Sequence, residues 1–81
     1  MSRRFPVASS RDVERVAHAL GFVFRRQTGS HRILVRPADG SRVVIPQQHG
    51  DLKRKTLKTI LDELDVSPEE FSALLRGKKA A

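Results

Sequence analysis

A lone histidine, His31, follows Gly29-Ser30 and precedes Arg32 in the part of the chain that carries all of its excess positive charge. Residues 22–58 hold nine Lys/Arg (Arg25, Arg26, Arg32, Arg36, Arg42, Lys53, Arg54, Lys55, Lys58) against two acids, Asp39 and Asp51. The other residues carry seven charges of each sign, so the net +7 belongs to this middle stretch. Such a field suits a polyanion. Thr28-Gly29-Ser30 supplies a tight bend with approachable backbone, and Arg25, Arg26 or Arg32 stand near in sequence to take the charge of a phosphate. Cleavage of RNA without a metal needs only such parts: a base for the 2′-hydroxyl and cations for the charge that develops on phosphorus. Imidazole is the ordinary side chain that changes charge near neutral pH. The same residues also fit a histidine that merely lines an RNA-gripping surface, and by themselves they leave both readings open.

The other two histidines carry less. His49, beside Gly50, lies in a loop from which it could donate to phosphate or act as an acid, or be a plain loop residue. His18 falls next to the apolar stripe of a helix without the further ligands a metal site requires, and is assigned no role. Ser30 could orient His31 or touch phosphate. No metal or cofactor is expected.

An 81-residue chain is expected to form a single domain over 1–81, with an N-terminal arm at 1–8 and a flexible basic tail at 76–81. Its core is too small for a deep pocket, so a site should be shallow and open. The absence of Cys removes disulfides and cysteine-based zinc sites, and neither a signal peptide nor a membrane-spanning run is expected from the apolar content of the sequence. A soluble, cytoplasmic protein with no membrane partner is the expectation.

Positioning elements follow from periodicity. Val13, Val16, Ala17 and Leu20 lie at i, i+3, i+4, i+7 after Ser9-Ser10, predicting a helix over 10–20 that stops at Gly21. Residues 22–27 and 31–36 are rich in β-formers around the 28–30 turn and read as a hairpin. Pro37-Ala38-Asp39-Gly40 makes a second turn into a strand at 42–45, closed by Pro46, which cannot donate to a ladder. A loop over 46–52 precedes a second helix bearing Leu57, Ile60, Leu61 and Leu64. Its first turn is crowded by Lys53, Arg54 and Lys55, with Lys58 one turn on; cations there oppose the helix dipole and suggest that a bound anion is being served. Ser67-Pro68-Glu69-Glu70 is a capping box opening a short third helix whose packing face is Phe71, Leu74 and Leu75. The result is an α+β domain, α-β-β-β-α with an extra short helix, its three-stranded antiparallel sheet covered on one face by helices, as in double-stranded-RNA-binding folds. Strand parity raises one question. His31 shares a face with Ile33 and Val35, so it should sit at the sheet's solvent-facing end or be re-aimed by a bulge.

The run from Pro6 to Phe71 resembles the HicA toxins of bacterial toxin-antitoxin pairs. The similarity rests on Arg11-Asp12-Val13, Gly21-Phe22-Val23, Arg26-Gln27-Thr28-Gly29-Ser30-His31, Asp39-Gly40-Ser41-Arg42, Val44-Ile45-Pro46 and Lys55-Thr56-Leu57-Lys58-Thr59-Ile60-Leu61, in that order. Ala38 is one residue more than the usual Pro-Asp-Gly turn, and His49-Gly50-Asp51 occupies a variable stretch; neither touches Gly29-Ser30-His31. The resemblance implies a metal-independent endoribonuclease that cleaves mRNA, slows translation and growth under stress, and is held inactive by a HicB antitoxin covering the active site. It places the catalytic histidine at His31 and the required glycine at Gly29, and so favours catalysis. Arg25, Arg26, Arg32, Arg42, Lys53, Arg54, Lys55 and Lys58 are the expected RNA contacts, with Ser30 in support and His49 as a possible auxiliary group. Two other functions compete: an RNA-binding module that grips without cutting, and a basic protein that only docks an acidic partner.

Overall fold

The structure is a computed structural model and describes residues 5–77. Its elements run α1 (Ser10–Ala19), β1 (Val23–Thr28), β2 (His31–Arg36), β3 (Ser41–Pro46), α2 (Arg54–Leu64) and α3 (Pro68–Leu75), the expected order. The strands form an antiparallel meander, β1-β2-β3, so β2 is central and both other strands are edges. No described helix is long and apolar enough to cross a membrane. Residues 1–4 of the expected arm and 78–81 of the expected tail lie outside the described residues.

The core forms where the helix stripes meet one face of the sheet. Val13, Val16 and Ala17 of α1 and Leu57, Ile60, Leu61 and Leu64 of α2 are buried with Leu34, Val43 and Ile45. Leu34 lies opposite Val43, and both are fully inaccessible. Leu20, expected in the α1 stripe, is instead the C-cap and only partly buried. Phe71 adds α3 to the same cluster, with Ser67 accepting from the Glu70 amide and Glu70 closing the capping box in return.

Two local features shape the sheet and α1. First, the helices cover β2 and β3 but not β1, every residue of which is exposed; Phe24, on the helix side, is 46% exposed and carries the Arg32 guanidinium over its ring, 4.3 Å from the centre. Second, Ser9 caps α1, accepting from the Asp12 amide while Asp12 accepts from Ser9 in return.

Ser10 is thereby free for another task. Its buried hydroxyl donates to the Pro46 carbonyl at 2.6 Å and accepts from the Gln48 amide at 3.3 Å. One side chain thus ties the start of α1 to the end of β3. The Leu52 amide donates to the Ala8 carbonyl at 2.9 Å, and Ser9 bridges to Asp51, so the whole 47–52 loop is held against residues 8–10. Ser10→Ala should cost about 1–2 kcal/mol, because the Pro46 carbonyl and Gln48 amide lose their partner together; urea denaturation of the two proteins reads it.

Candidate active site on the open sheet face

The Gly29-Ser30 turn sets the position of His31. Thr28 pairs with His31 across a two-residue loop, and Gly29 has φ +57° whereas Ser30 is not in the positive-φ region. That sign pattern is the one that two-residue hairpins with glycine in the first loop position adopt, because their twist matches the strands. A Cβ at Gly29 would meet nothing within 4 Å, so the requirement there is conformational and not one of space inside the protein. Gly29→Ala is expected to cost about 1–2 kcal/mol and Gly29→Asn less, since asparagine tolerates positive φ better; thermal melts of the two variants give the comparison.

On its other side His31 is opposite Pro46, and the Ser30 carbonyl accepts from the Gln47 amide at 2.6 Å. The histidine is therefore held between the hairpin turn and the end of β3, the segment that Ser10 anchors. Its side chain is exposed, with no hydrogen-bond or ion-pair partner among the described residues. An exposed imidazole without an internal partner is available to a ligand.

The parity question has a third answer. His31 does share a face with Ile33 and Val35, but that is not the core face; Leu34 points to the helices, and the His31 face is open along its whole length. No re-aiming is needed. The one bulge is in β1, at Arg25 between Phe24 and Arg26, and it switches parity so that Arg26, Thr28 and Val23 all come to the open face. Read across the ladder, this face has three rows: Thr28-His31-Pro46, Arg26-Ile33-Val44 and Val23-Val35-Arg42.

The expected cations divide between two surfaces. Arg25, Arg26 and Arg42 line a shallow depression of about 430 Å³ whose floor is Ile33 and Val35. These three arginines have no ion-pair partner among the described residues. Arg32, although next to His31 in sequence, faces the helices and is taken up internally: its Nε and Nη2 donate to the two Glu14 oxygens, each at 2.8 Å, and Nη1 donates to Gln27. Burial pushes the Glu14 carboxyl up, but hydrogen bonding and charge from Arg32, with a smaller part from His18, hold it below its usual range. Arg36 is likewise occupied, with Asp39 and the Phe22 ring.

Arg54, Lys55 and Lys58 lie in α2 and Lys53 immediately before it, on the helix layer. Lys53 is the N-cap and makes no side-chain cap hydrogen bond, and the first turn has no acid. Arg54 stacks on Phe5, 4.7 Å from the ring centre. Leu52, just before α2, is tied to Ala8, and Ser10 is tied to Pro46, so α2 begins near the end of the sheet where His31 lies. His49 is exposed in this loop. His18, which the sequence left without a role, proves structural: Nδ1 is 2.9 Å from the Phe22 carbonyl and Nε2 3.3 Å from Glu14.

Sequence reading missed Arg11 and Arg15. They line a second depression of about 420 Å³ with Glu14, His18, Arg32 and Gln47 on the helix side. Both fall on the polar side of α1, and nothing in their spacing distinguishes them from a solvated face. Arg15 donates to the Leu75 carbonyl at 3.1 Å, and the paired Glu14 puts negative charge in this depression, so it is the less suited of the two to an anion.

A family model described as HicA toxin of bacterial toxin-antitoxin matches residues 10–66. No individually curated protein matches the chain.

Proposed function

The chain belongs to the HicA family of toxins from bacterial toxin-antitoxin systems, and we propose that within it this protein is a metal-independent endoribonuclease that cleaves mRNA in the cytoplasm with His31 as general base. The observation that carries the reading is the placement of His31: exposed, unpaired among the described residues, and on the same open face as Arg26 and Arg42. In the proposed step the His31 imidazole takes the 2′-hydroxyl proton, and the 2′ oxygen forms a bond to the adjacent phosphorus. The bond from phosphorus to the 5′ oxygen of the next nucleotide breaks, and that oxygen takes up a proton. His49, in the loop after Pro46, is the residue proposed to supply it. The products are a 2′,3′-cyclic phosphate and a 5′-hydroxyl. Cationic side chains at the site stabilise the charge on the phosphorane, where it is largest.

A HicB-like antitoxin is the proposed partner, covering His31 and neutralising the arginines with an acidic surface. The competing reading, an RNA-binding module that does not cut, draws on the same arginines, which would hold RNA whether or not His31 reacts.

The test is end chemistry. An oligoribonucleotide cut by the protein should give cyclic phosphate and 5′-hydroxyl ends, and a single 2′-deoxy sugar on the 5′ side of a cleavage site should abolish cutting there. Cleavage that persists at the deoxy position, or leaves 3′-hydroxyl ends, contradicts the 2′-hydroxyl mechanism. Salt-sensitive binding with intact RNA supports the module instead.

A further inference from the structure

The open sheet face extends from His31 in one direction only. On one side of His31 the chain turns at Gly29-Ser30; on the other lie the Arg26-Ile33-Val44 row and then the Val23-Val35-Arg42 row. Resting on the ribonuclease reading, we infer that these two rows are subsites for a single RNA strand, holding the first and second phosphates beyond the scissile one on one side of the cut.

Spacing, chemistry and width support this. Successive residues on one face of a strand are about 7 Å apart, close to the separation of neighbouring phosphates along an extended nucleic-acid strand. One unpaired arginine falls in each row, Arg26 on the β1 edge in the first and Arg42 on the opposite, β3 edge in the second, and both line the depression that lies between them over β2. Arg25, extruded by the bulge, lines the same depression and adds a third guanidinium. Between them the floor is aliphatic, Ile33 and Val35, which fits the faces of sugars and bases without selecting among them. The face is three strands across, about 10 Å, room for one strand and not for both backbones of a duplex. No acidic residue lines the depression. Strand-like RNA with two extra phosphates on one side of the cut is therefore the substrate these rows fit.

The experiment uses the full chain and 2′-deoxy oligonucleotides with a single ribonucleotide, so that the cut is fixed while phosphates are added one at a time on its 5′ or 3′ side. Adding the first and second phosphates on one side should each raise kcat/KM by about fivefold, and additions on the other side should change little. Arg26→Ala should remove the first increment and Arg42→Ala the second, both at exposed positions where folding is not at stake. Annealing a complementary strand should suppress cutting. His31-dependent cleavage with no length dependence, with equal dependence on both sides, or undiminished on duplex overturns the track while leaving the ribonuclease standing. If the wild-type protein cuts none of these oligonucleotides, the ribonuclease reading fails, and fluorescence anisotropy on the same series decides the track. Increments in affinity lost in the same order in Arg26→Ala and Arg42→Ala support it as a binding face, and affinity indifferent to either variant overturns it.

Discussion

His31→Ala should lower the rate of RNA cleavage by about 10²- to 10⁴-fold, the range associated with loss of a positioned general base. Stability should change by no more than about 0.5 kcal/mol, because the side chain is exposed and has no partner among the described residues. RNA affinity should be nearly preserved, since the unpaired arginines of the open face remain. This combination separates a chemical role from a structural one. Added imidazole should restore part of the lost rate at the same cleavage positions, because a small base can enter the space vacated on an open face. A variant that melts far below the wild type, or that loses affinity as steeply as it loses rate, would make His31 a structural or gripping residue.

Phe71→Ala should destabilise the fold by about 3–5 kcal/mol, a large fraction of the roughly 5–15 kcal/mol that holds a small domain together. Phe71 is fully inaccessible and among the largest buried side chains, yet it lies beyond residue 66, where the family match ends. α3 carries it into the cluster that includes Val13 and Val16 of α1 and Leu64 of α2, and Arg15 of α1 donates to Leu75 at the end of α3. The helix that positions the Ser10 anchor is thus braced from outside the matched stretch. Chemical denaturation of the variant checks the figure, and a loss under about 1 kcal/mol would mean that α3 adds little to the core.

Most of the scaffold was legible because each element carries its own period or its own stop. The α2 stripe Leu57-Ile60-Leu61-Leu64 and the Ser67-Pro68-Glu70 box appear in the structure as read. The turn read at 28–30 narrows in the structure to Gly29-Ser30, because Thr28 joins β1 opposite His31 and a two-residue loop takes its positive φ at Gly29. The face of β2 was not legible. Alternation shows that His31, Ile33 and Val35 share one side and Arg32, Leu34 and Arg36 the other, but not which side is buried. Apolar count favours the first set. The structure turns the second toward the helices, because Arg32 and Arg36 lay their guanidiniums over Phe24 and Phe22 and reach Glu14 and Asp39, so only Leu34 needs to enter the core.

The same alternation could have separated Arg32 from His31, since neighbours on a strand face opposite ways. What it could not supply is Glu14, eighteen residues earlier, whose carboxylate occupies the Arg32 guanidinium. The bulge at Arg25 was also invisible, because an extra residue in an edge strand leaves no mark on composition, and without it Arg26 would face the helix side. The task of Ser10 was invisible for another reason: Ser9, with Asp12 three residues on, accounts for the cap, and the partner of Ser10, the Pro46 carbonyl, lies 36 residues away.

The most direct test incubates the folded wild-type protein and His31→Ala, each free of any antitoxin, with end-labelled single-stranded RNA in EDTA. Fragments with cyclic phosphate ends from the wild type, and intact RNA from the variant over the same interval, are the predicted result. Equal cleavage by both proteins, or intact RNA with both, would contradict the assignment of His31 as the base of a metal-independent ribonuclease.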